Sequence, residues 1–268
     1  GDTLWPGCDP CASNSAGLGT RTGPTDELDA EFVPLTPVER VAWRSADDRV
    51  AIWPTGAITT GAGTAAVMYA RYLVEGPLQY TALGWGIATA GVGQPAAMRA
   101  LDLAGLPYGH PLRVGRRVYA FGCERQVWIA FACDVARAPV ATMTDAGAWR
   151  YWSGKAWSSD PSGAAPVLSG PSGGLSVAWN KRLGAFLAVY NVGLTNRVVM
   201  RTAPSPIGPW SDPTTVFTGL DTPPGAFDYA AMEQHDLARD GGRVLTVTYF
   251  HPLGALAGEI RRVELTLP

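Results

Sequence analysis

The chain has 268 residues, of which 47% are hydrophobic and only 16% are charged, and its formal net charge is −2. This balance excludes the basic surface that nucleic-acid and anionic-membrane binding require, and it disfavours a polyanionic ligand. No apolar run approaches the ~20 residues that span a bilayer, so membrane insertion is not expected. Thirty-two glycines, 22 prolines and ten tryptophans predict many turns, few long amphipathic helices and one large all-β domain.

The first 40 residues are dominated by turn formers and predict irregular structure. Within them Cys8 and Cys11 form a C-x-x-C motif, while Cys123 and Cys133 lie far along the chain. A redox motif would need a strand followed by a helix, and a four-cysteine zinc site would need a second C-x-x-C. A local disulfide in a secreted protein is therefore the favoured interpretation.

Short apolar strands, in groups of about 50 residues, fill the rest of the chain. The clearest group is Leu175–Phe217, where four strands are joined by tight turns that carry Gly, Asn or Pro. Such an antiparallel meander has the form of a propeller blade. Further strand groups lie at 50–90, 112–157 and 228–267, whereas the Ser/Pro/Gly-rich stretch 158–174 predicts a surface loop. From this pattern alone, a propeller and a β-sandwich are nearly equally supported.

The corner that follows the third strand of the clearest group carries a resemblance to a known family. Its sequence, Arg201-Thr-Ala-Pro-Ser-Pro-Ile-Gly-Pro-Trp-Ser-Asp-Pro, resembles the R-x-A-x-x-P-x-G-P-W-S-x-P corner of five-bladed propellers related to furanosidases. Further matches are Gly1-Asp2-Thr3, Asn14-Ser15, Ile52–Gly56, Ala148–Trp152 with Trp157, and His235 followed by Leu245–Tyr249. The chain is thereby similar, over almost its whole length, to a bacterial family of former unknown function that includes endo-D-arabinanases.

The resemblance implies an all-β fold, a five-bladed β-propeller of four-stranded antiparallel blades, formed by residues 1–268 as a single domain. In the family the Gly-Asp-Thr triplet closes a strand that follows an earlier, innermost one, whereas this chain begins at the triplet. Either the first strands of the first blade lie upstream, or the ring closes differently. The implied activity is hydrolysis of a furanose-containing polysaccharide, in the manner of an endo-D-arabinanase. The implied protein is a secreted or cell-wall-associated monomer that requires no cofactor and admits a structural calcium ion.

Glycoside hydrolysis needs two carboxyl groups, one to protonate the leaving oxygen and one to act as nucleophile or as base on water. In a propeller, acids at the starts of inner strands from different blades can meet. The candidates at plausible strand ends are Asp2, Glu124, Asp134, Asp228, Glu233 and Asp236. The resemblance favours Asp2 as nucleophile or base, although an Asp between Gly and Thr also caps turns through its side chain.

The segment Tyr229–Asp236 is the densest polar cluster in an otherwise apolar region. Glu233 is the predicted acid, and His235 and Asp236 are predicted to orient it or to tune its pKa. In the family a proline commonly follows this histidine, whereas here Asp236 follows it and departs from the pattern. A solvated strand end before the turn at 239–242 is the alternative interpretation of the same acids.

The predicted substrate-binding residues are Asn14, Trp53, Trp85 and His235. Apolar sugar faces stack on aromatic rings, and Trp53 precedes a predicted Pro-Thr-Gly turn at an inner-strand position. Gap filling between blades is the alternative for the tryptophans, and a hydrogen-bonded structural role is the alternative for His235. The other two histidines, His110 and His251, are predicted to lie in loops.

Other catalytic classes have little support, because the serine-hydrolase elbow, the phosphate-binding loop, the zinc-protease motif and the dinucleotide fingerprint are missing from the sequence. Two alternatives to the hydrolase keep the fold. One is a carbohydrate-binding propeller that has lost the chemistry, and the other is an interaction scaffold whose open sheet edge takes a partner strand. Loss of product release with Glu233→Gln would separate the enzyme from a lectin.

Overall fold

The computed structural model describes residues 17–21, 28–34, 49–61, 64–76, 79–91, 107–127, 130–254 and 257–268. Within these ranges the regular structure consists of β-strands and short 3₁₀ turns, which confirms the predicted all-β class. None of the described helical segments is long and apolar enough to cross a membrane. The chain divides into two compact units, which are Gly1–Gly109 with Val140–Ala146, and His110–Pro139 with Gly147–Pro268. They are called the first and the second unit below.

The first unit contains two antiparallel sheets. Their strands are β1 (Gly17–Arg21) and β2 (Leu28–Pro34), then β3 (Val50–Gly61), β4 (Thr64–Gly76) and β5 (Gln79–Gly91). The turn predicted at Pro54–Gly56 is wrong, because these residues continue β3. The pairing of β3 with β4 shifts between Pro54 and Gly56, and this bulge accommodates a proline that has no N–H to donate.

The second unit begins with a sheet of five consecutive antiparallel neighbours and a short sixth strand. The strands are β6 (Tyr108–Val114), β7 (Arg117–Val127), β8 (Ala130–Pro139), β9 (Arg150–Trp152), β10 (Trp157–Ser158) and β11 (Leu168–Ser169). Of the short 3₁₀ turns, Val140–Thr142 belongs to the first unit, Ala146–Ala148 begins with the last residue assigned to that unit, and Pro161–Gly163 belongs to the second. The predicted surface loop at 158–174 is wrong in part. Leu168 is buried, and β11 pairs with β8 because the apolar side chain of Leu168 packs into the core of this unit.

The next sheet is the predicted four-stranded meander, and it is confirmed strand by strand. Its members are β12 (Ser176–Asn180), β13 (Ala185–Asn191), β14 (Arg197–Ala203) and β15 (Thr214–Thr218). Turn residues end the strands as expected: Asn180 Oδ1 accepts a hydrogen bond from the backbone N–H of Leu183 at 3.0 Å. The corner before β15 contains a cis peptide bond between Gly208 and Pro209.

The last sheet has three strands, β16 (Tyr229–Glu233), β17 (Val244–Pro252) and β18 (Gly258–Thr266). Between β16 and β17 lie 3₁₀ turns at His235–Leu237 and Asp240–Gly242. The loops predicted for His110 and His251 are wrong, because these residues lie in β6 and β17. The alternation of buried residues in β17 reaches His251, and Pro252 is tolerated because it is the last residue of the strand.

Strands β12 and β16 run side by side in the same direction. A Cβ atom on Gly174 would lie 2.5 Å from the Cα of Ala230, so a glycine is required where the two backbones approach. Two residues after Gly174, at the first residue of β12, the Ser176 hydroxyl oxygen accepts a hydrogen bond from the Glu233 N–H at 2.7 Å. A shared apolar core fills the space between these sheets; its buried members are Leu187, Val189, Val198, Ala231, Leu245, Val247, Tyr249 and Leu267.

The starts of several strands in the second unit lie at one end, called the strand-start end below. β6 and β8 run in the same direction because each is antiparallel to β7. β11, which leads into β12, pairs with the first half of β8, and β12 runs parallel to β16. The starts of β6, β8, β12 and β16 therefore lie at the same end, and Glu233 at the finish of β16 lies at the opposite one.

Candidate functional site

Two acids, Asp134 and Glu124, lie on one face of the β7–β8 hairpin at the strand-start end. In the ladder Asp134 is opposite Gly122 and Glu124 is opposite Ala132, so the two acids are diagonal neighbours. Asp134 is half-buried and Glu124 is exposed. Burial, and then the negative charge of Glu124, raise the pKa of Asp134 to about 6. A carboxyl group with this pKa retains a proton close to neutral pH, which is the property that a general acid needs.

A disulfide joins Cys123 and Cys133 at the rung between these two acids. The two cysteines are directly opposite each other, with their Cα atoms 4.0 Å apart. Because side chains alternate between the faces of a strand, the sulfur atoms lie on the face opposite to the two carboxyl groups. Cys133 is fully buried in the core. The disulfide predicted for Cys8 and Cys11 lies outside the described residues.

His110 lies in β6, close to the start of this strand. Its backbone has a φ of +49°, which is uncommon for a residue with a side chain. Burial lowers the pKa of His110 to about 4, so the imidazole is neutral at neutral pH. Among the described residues no group hydrogen-bonds its buried Nδ1 atom.

Asp228 and His251 form a buried pair beside the start of β16. The His251 Nδ1 atom is 2.8 Å from Asp228 Oδ1, and since a carboxylate can only accept, Nδ1 carries the hydrogen. The backbone N–H of Asp228 donates to Asn196 Oδ1 at 2.9 Å. A Cβ on Gly219 would lie 1.7 Å from Asp228 Oδ2, so the carboxylate occupies space that only glycine leaves free. Within the described part of the chain, Oδ2 itself has no hydrogen-bond partner.

Backbone strain marks the start of β16 as well. Ala230 has a φ of +56°, and with His110 and Asp240 it is one of three described non-glycine residues in the left-handed region. Two of these three lie near the starts of β6 and β16, and such strained residues cluster at functional sites. Tyr229, the first residue of β16, keeps its ring partly exposed and packs it 4.7 Å from the ring of Phe250.

The predicted cluster of Glu233, His235 and Asp236 lies at the opposite end of β16. The Glu233 side chain is completely buried, and His235 Nδ1 is 3.5 Å from its Oε1, which is the outer limit of hydrogen bonding. In the described part of the chain neither oxygen of Glu233 has a closer partner. The hydrogen bond to Glu233 is the main cause that raises the pKa of the half-exposed His235, and the charge of Asp236 adds to it. The structure therefore joins Glu233 to His235 but separates both from the strand-start end.

The two predicted aromatic residues lie in the first unit. Trp53 is half-buried, with its ring 4.5 Å from that of Tyr72. Trp85 is fully buried and packs 5.4 Å from the ring of Tyr108, so it fills the core and has no face open to a sugar. Asp2 and Asn14 lie outside the described residues, and their roles stay predictions. No three His, Cys, Asp or Glu side chains in the described ranges are grouped to hold a metal ion, and the calcium ion also stays a prediction.

Sequence reasoning missed the pairing of Asp228 with His251 and the strained His110. A signal for the first was present, because Leu245, Val247, Tyr249 and His251 alternate and so share the buried face of β17. No comparable signal marks His110, whose positive φ depends on how the chain enters β6. Asp134 was among the candidate acids, but its diagonal position relative to Glu124 depends on the register of the hairpin.

A family model described as "Domain of unknown function (DUF4185)" matches residues 104–241, which is just over half of the chain. The match covers the strand-start end from His110 to Asp228 and continues to the finish of β16. No curated protein matches the chain.

Solved structures of carbohydrate-active enzymes resemble the chain at low sequence identity. The exo-β-1,3-galactanase from Phanerochaete chrysosporium, solved with galactose, has a TM-score of 0.51 and 13% identity over 82% of this chain and 47% of its own. The RS223 β-xylosidase has a TM-score of 0.55 and 12% identity, and the match covers 89% of this chain and 77% of that one. The GH43_1 enzyme from Xanthomonas citri, complexed with xylotriose, has a TM-score of 0.53 and 15% identity, and the match covers 88% of this chain and 75% of that one.

The chain thus spans about half the length of the galactanase that it resembles. At these identities the likeness shows the fold. It confirms the predicted all-β, five-bladed propeller class, in which four-stranded sheets such as β12–β15 are the blades.

Proposed function

Since the chain belongs to the DUF4185 family, whose description assigns no activity, we propose a function from the fold and from the carboxyl groups of the chain: it is a glycoside hydrolase. The observation that carries the proposal is the half-buried Asp134, whose pKa lies at about 6, in the half of the β7–β8 hairpin nearer the strand-start end. The fold supports it, because the solved structures that resemble the chain include a galactanase and a xylosidase.

Asp134 acts as the general acid in this proposal. It protonates the glycosidic oxygen as the bond to the sugar breaks, and its partly buried setting raises its pKa, so a larger fraction of Asp134 carries a proton near neutral pH. Glu124 assists because its charge opposes ionisation of Asp134. Asp2 remains the proposed nucleophile or base, on the strength of the family resemblance of its triplet. Glu233, the acid predicted from sequence, is the rival for the role of Asp134, but its carboxyl group is shielded from solvent.

The proposed substrate is a furanose-containing polysaccharide, and within that class a D-arabinan cleaved internally. This part of the proposal rests on the Gly-Pro-Trp corner at 208–210 and on the other motifs that resemble the arabinanase family. A secreted or cell-wall-associated location fits such a substrate. The disulfide between Cys123 and Cys133 supports that location, because disulfides persist in oxidising compartments.

Release of oligosaccharides from a panel of D-arabinan, L-arabinan, xylan and β-1,3-galactan tests the proposal. Wild-type protein should release products from D-arabinan, and Asp134→Asn and Asp2→Asn should abolish the release. Asp212→Asn is the matched control, because Asp212 is an exposed acid in the loop before β15 and should leave the rate unchanged.

Other outcomes separate the alternatives. Loss with Glu233→Gln but not with Asp134→Asn would transfer the acid role to Glu233. Folded wild-type protein that releases nothing from any glycan would contradict the hydrolase. Retardation of that protein in a gel containing D-arabinan would then indicate a binding propeller.

A further inference from the structure

We propose that the Cys123–Cys133 disulfide is a positioning element for the carboxyl pair of Asp134 and Glu124, because it fixes β7 against β8 at the rung between them. The catalytic meaning of this inference rests on the proposed role of Asp134 as general acid. The geometric part does not, and it can be tested on the folded protein without a substrate.

Three successive rungs of the β7–β8 ladder define the arrangement. Gly122 faces Asp134, Cys123 faces Cys133, and Glu124 faces Ala132. The disulfide is the middle rung, and the acids belong to the rungs on either side of it. A slip of one residue would turn Glu124 to the face that now carries the sulfur atoms, which would separate it from Asp134.

β8 is held independently of the disulfide. On the side away from β7 it pairs with β11, where Leu168 is opposite Cys133. Next to this pair, the Val167 N–H donates to the Cys133 carbonyl oxygen and the Gly170 N–H donates to the Phe131 carbonyl oxygen, both at 2.9 Å. The pairing of β8 with β11 therefore fixes the place of Asp134 in the sheet. The place of Glu124 relative to Asp134 depends on how β7 is held.

β7 needs an additional constraint at this point. Counted from the two-residue turn at Gly115–Arg116, the seven residues of β6 reach only as far as Cys123 along β7. Beyond it, the pairing with β8 shifts between Arg125 and Val127, so the ladder is irregular towards the tip. The disulfide therefore lies at the last residue of β7 that β6 flanks. Beyond this residue the pairing of β7 with β8 becomes irregular.

The positioning has an electrostatic consequence. Diagonal neighbours on one face of an antiparallel pair have Cα atoms ~7–8 Å apart, within reach of a like-charge interaction at a partly buried site. If β7 loosens, Glu124 moves away and water reaches Asp134. Both changes favour the ionised carboxylate, so the pKa of Asp134 should fall.

The test is a ¹³C NMR titration of the Asp134 carboxyl group in wild-type protein and in the Cys123→Ser, Cys133→Ser double variant. The matched control is the Cys8→Ser, Cys11→Ser variant, which removes the other cysteine pair of the chain. We expect the pKa of Asp134 to fall by about one unit or more in the first variant, towards the ~3.9 of an unperturbed Asp. In the control it should stay at about 6, as in the wild type.

An unchanged pKa of Asp134 in the folded Cys123→Ser, Cys133→Ser variant would overturn the inference. Should that variant unfold, Cys123→Val with Cys133→Ala suits the buried face better and takes its place. If the pKa falls but no glycan is cleaved by the wild type, the positioning stands and the proposed function fails. If the pKa falls and the wild type cleaves a glycan, the alkaline limb of the pH–activity profile should move to lower pH in the variant that lacks the Cys123–Cys133 disulfide.

Discussion

Asp228 and His251 are 23 positions apart in the chain, yet their side chains meet at 2.8 Å between Oδ1 and Nδ1, and both are almost completely buried. The contact joins the start of β16 to the end of β17 on the face that packs against the β12–β15 sheet. Because neighbouring groups fill the remaining space around Asp228, the pair holds the strand-start end of the last sheet in one arrangement.

Removal of one member of this pair should therefore be costly. Asp228→Ala leaves His251 buried without its acceptor, and breaking a buried polar pair from one side costs about 3–5 kcal/mol when both groups are charged, and less when the imidazole is neutral. Urea unfolding measures the loss, with Asp212→Asn as an exposed control that should cost nothing measurable. A loss below about 1 kcal/mol in Asp228→Ala would show that the pair contributes little to stability.

A methyl group at position 219 should act on the same pair. Gly219→Ala would place a Cβ 1.7 Å from Asp228 Oδ2, and the carboxylate or the strand must move. Overpacking of this kind costs about 1–3 kcal/mol. Gly163→Ala is the matched control, since nothing lies within 4 Å of a Cβ there. Equal thermal midpoints for the two variants would show that the carboxylate is not confined by Gly219.

Glu124→Gln should lower the pKa of Asp134, because the negative charge of Glu124 is one of the two causes that raise it. The alkaline limb of the activity profile should then move to lower pH. Glu124 is exposed, so the shift should be smaller than that caused by exposure of Asp134, and it should shrink further at high salt. An alkaline limb that stays in place at low salt would contradict the electrostatic coupling.

Stability should depend on pH through His235. Its pKa is raised in the folded protein, so its contribution is complete below the unfolded pKa of about 6.5 and is lost as pH rises through the folded value. The midpoint of urea unfolding should therefore fall over this range in the wild type. His235→Asn should remove this part of the dependence. Identical pH profiles for the two proteins would show that the contact with Glu233 has no energetic effect.

The sequence was sufficient for those parts of the fold in which local turns determine the pairing. The four strands of β12–β15 and the Pro/Gly corner before Thr214 follow from alternating apolar residues separated by Asn, Gly and Pro. The turn expected at Pro54–Gly56 is a bulge inside β3, because pairing with β4 outweighs the local preference of Pro and Gly for a turn. The residues of β3 alone do not predict this bulge, because it depends on the pairing with β4.

The candidate site was predictable in its residue types but not in its groupings. Glu233 and His235 are close in the chain and were grouped correctly, but Glu233 is the last residue of β16 and His235 follows it, so both lie away from the start of this strand. The contact of Asp228 with His251 depends on the register of β16 against β17, and the proximity of Asp134 to Glu124 depends on the register of β7 against β8. Register is set by pairing over the whole strand, so a motif of a few residues does not determine it.

The role of Asp134 as general acid can be tested by comparing two substrates that differ in their leaving groups. Asp134→Asn and wild type are assayed on D-arabinan and on an arabinan oligosaccharide with a 2,4-dinitrophenyl leaving group, which departs without protonation. If Asp134 is the general acid, we expect a loss of about 10²–10⁴-fold on D-arabinan and a much smaller loss on the aryl substrate. Equal losses on both substrates, or no loss on D-arabinan, would contradict it.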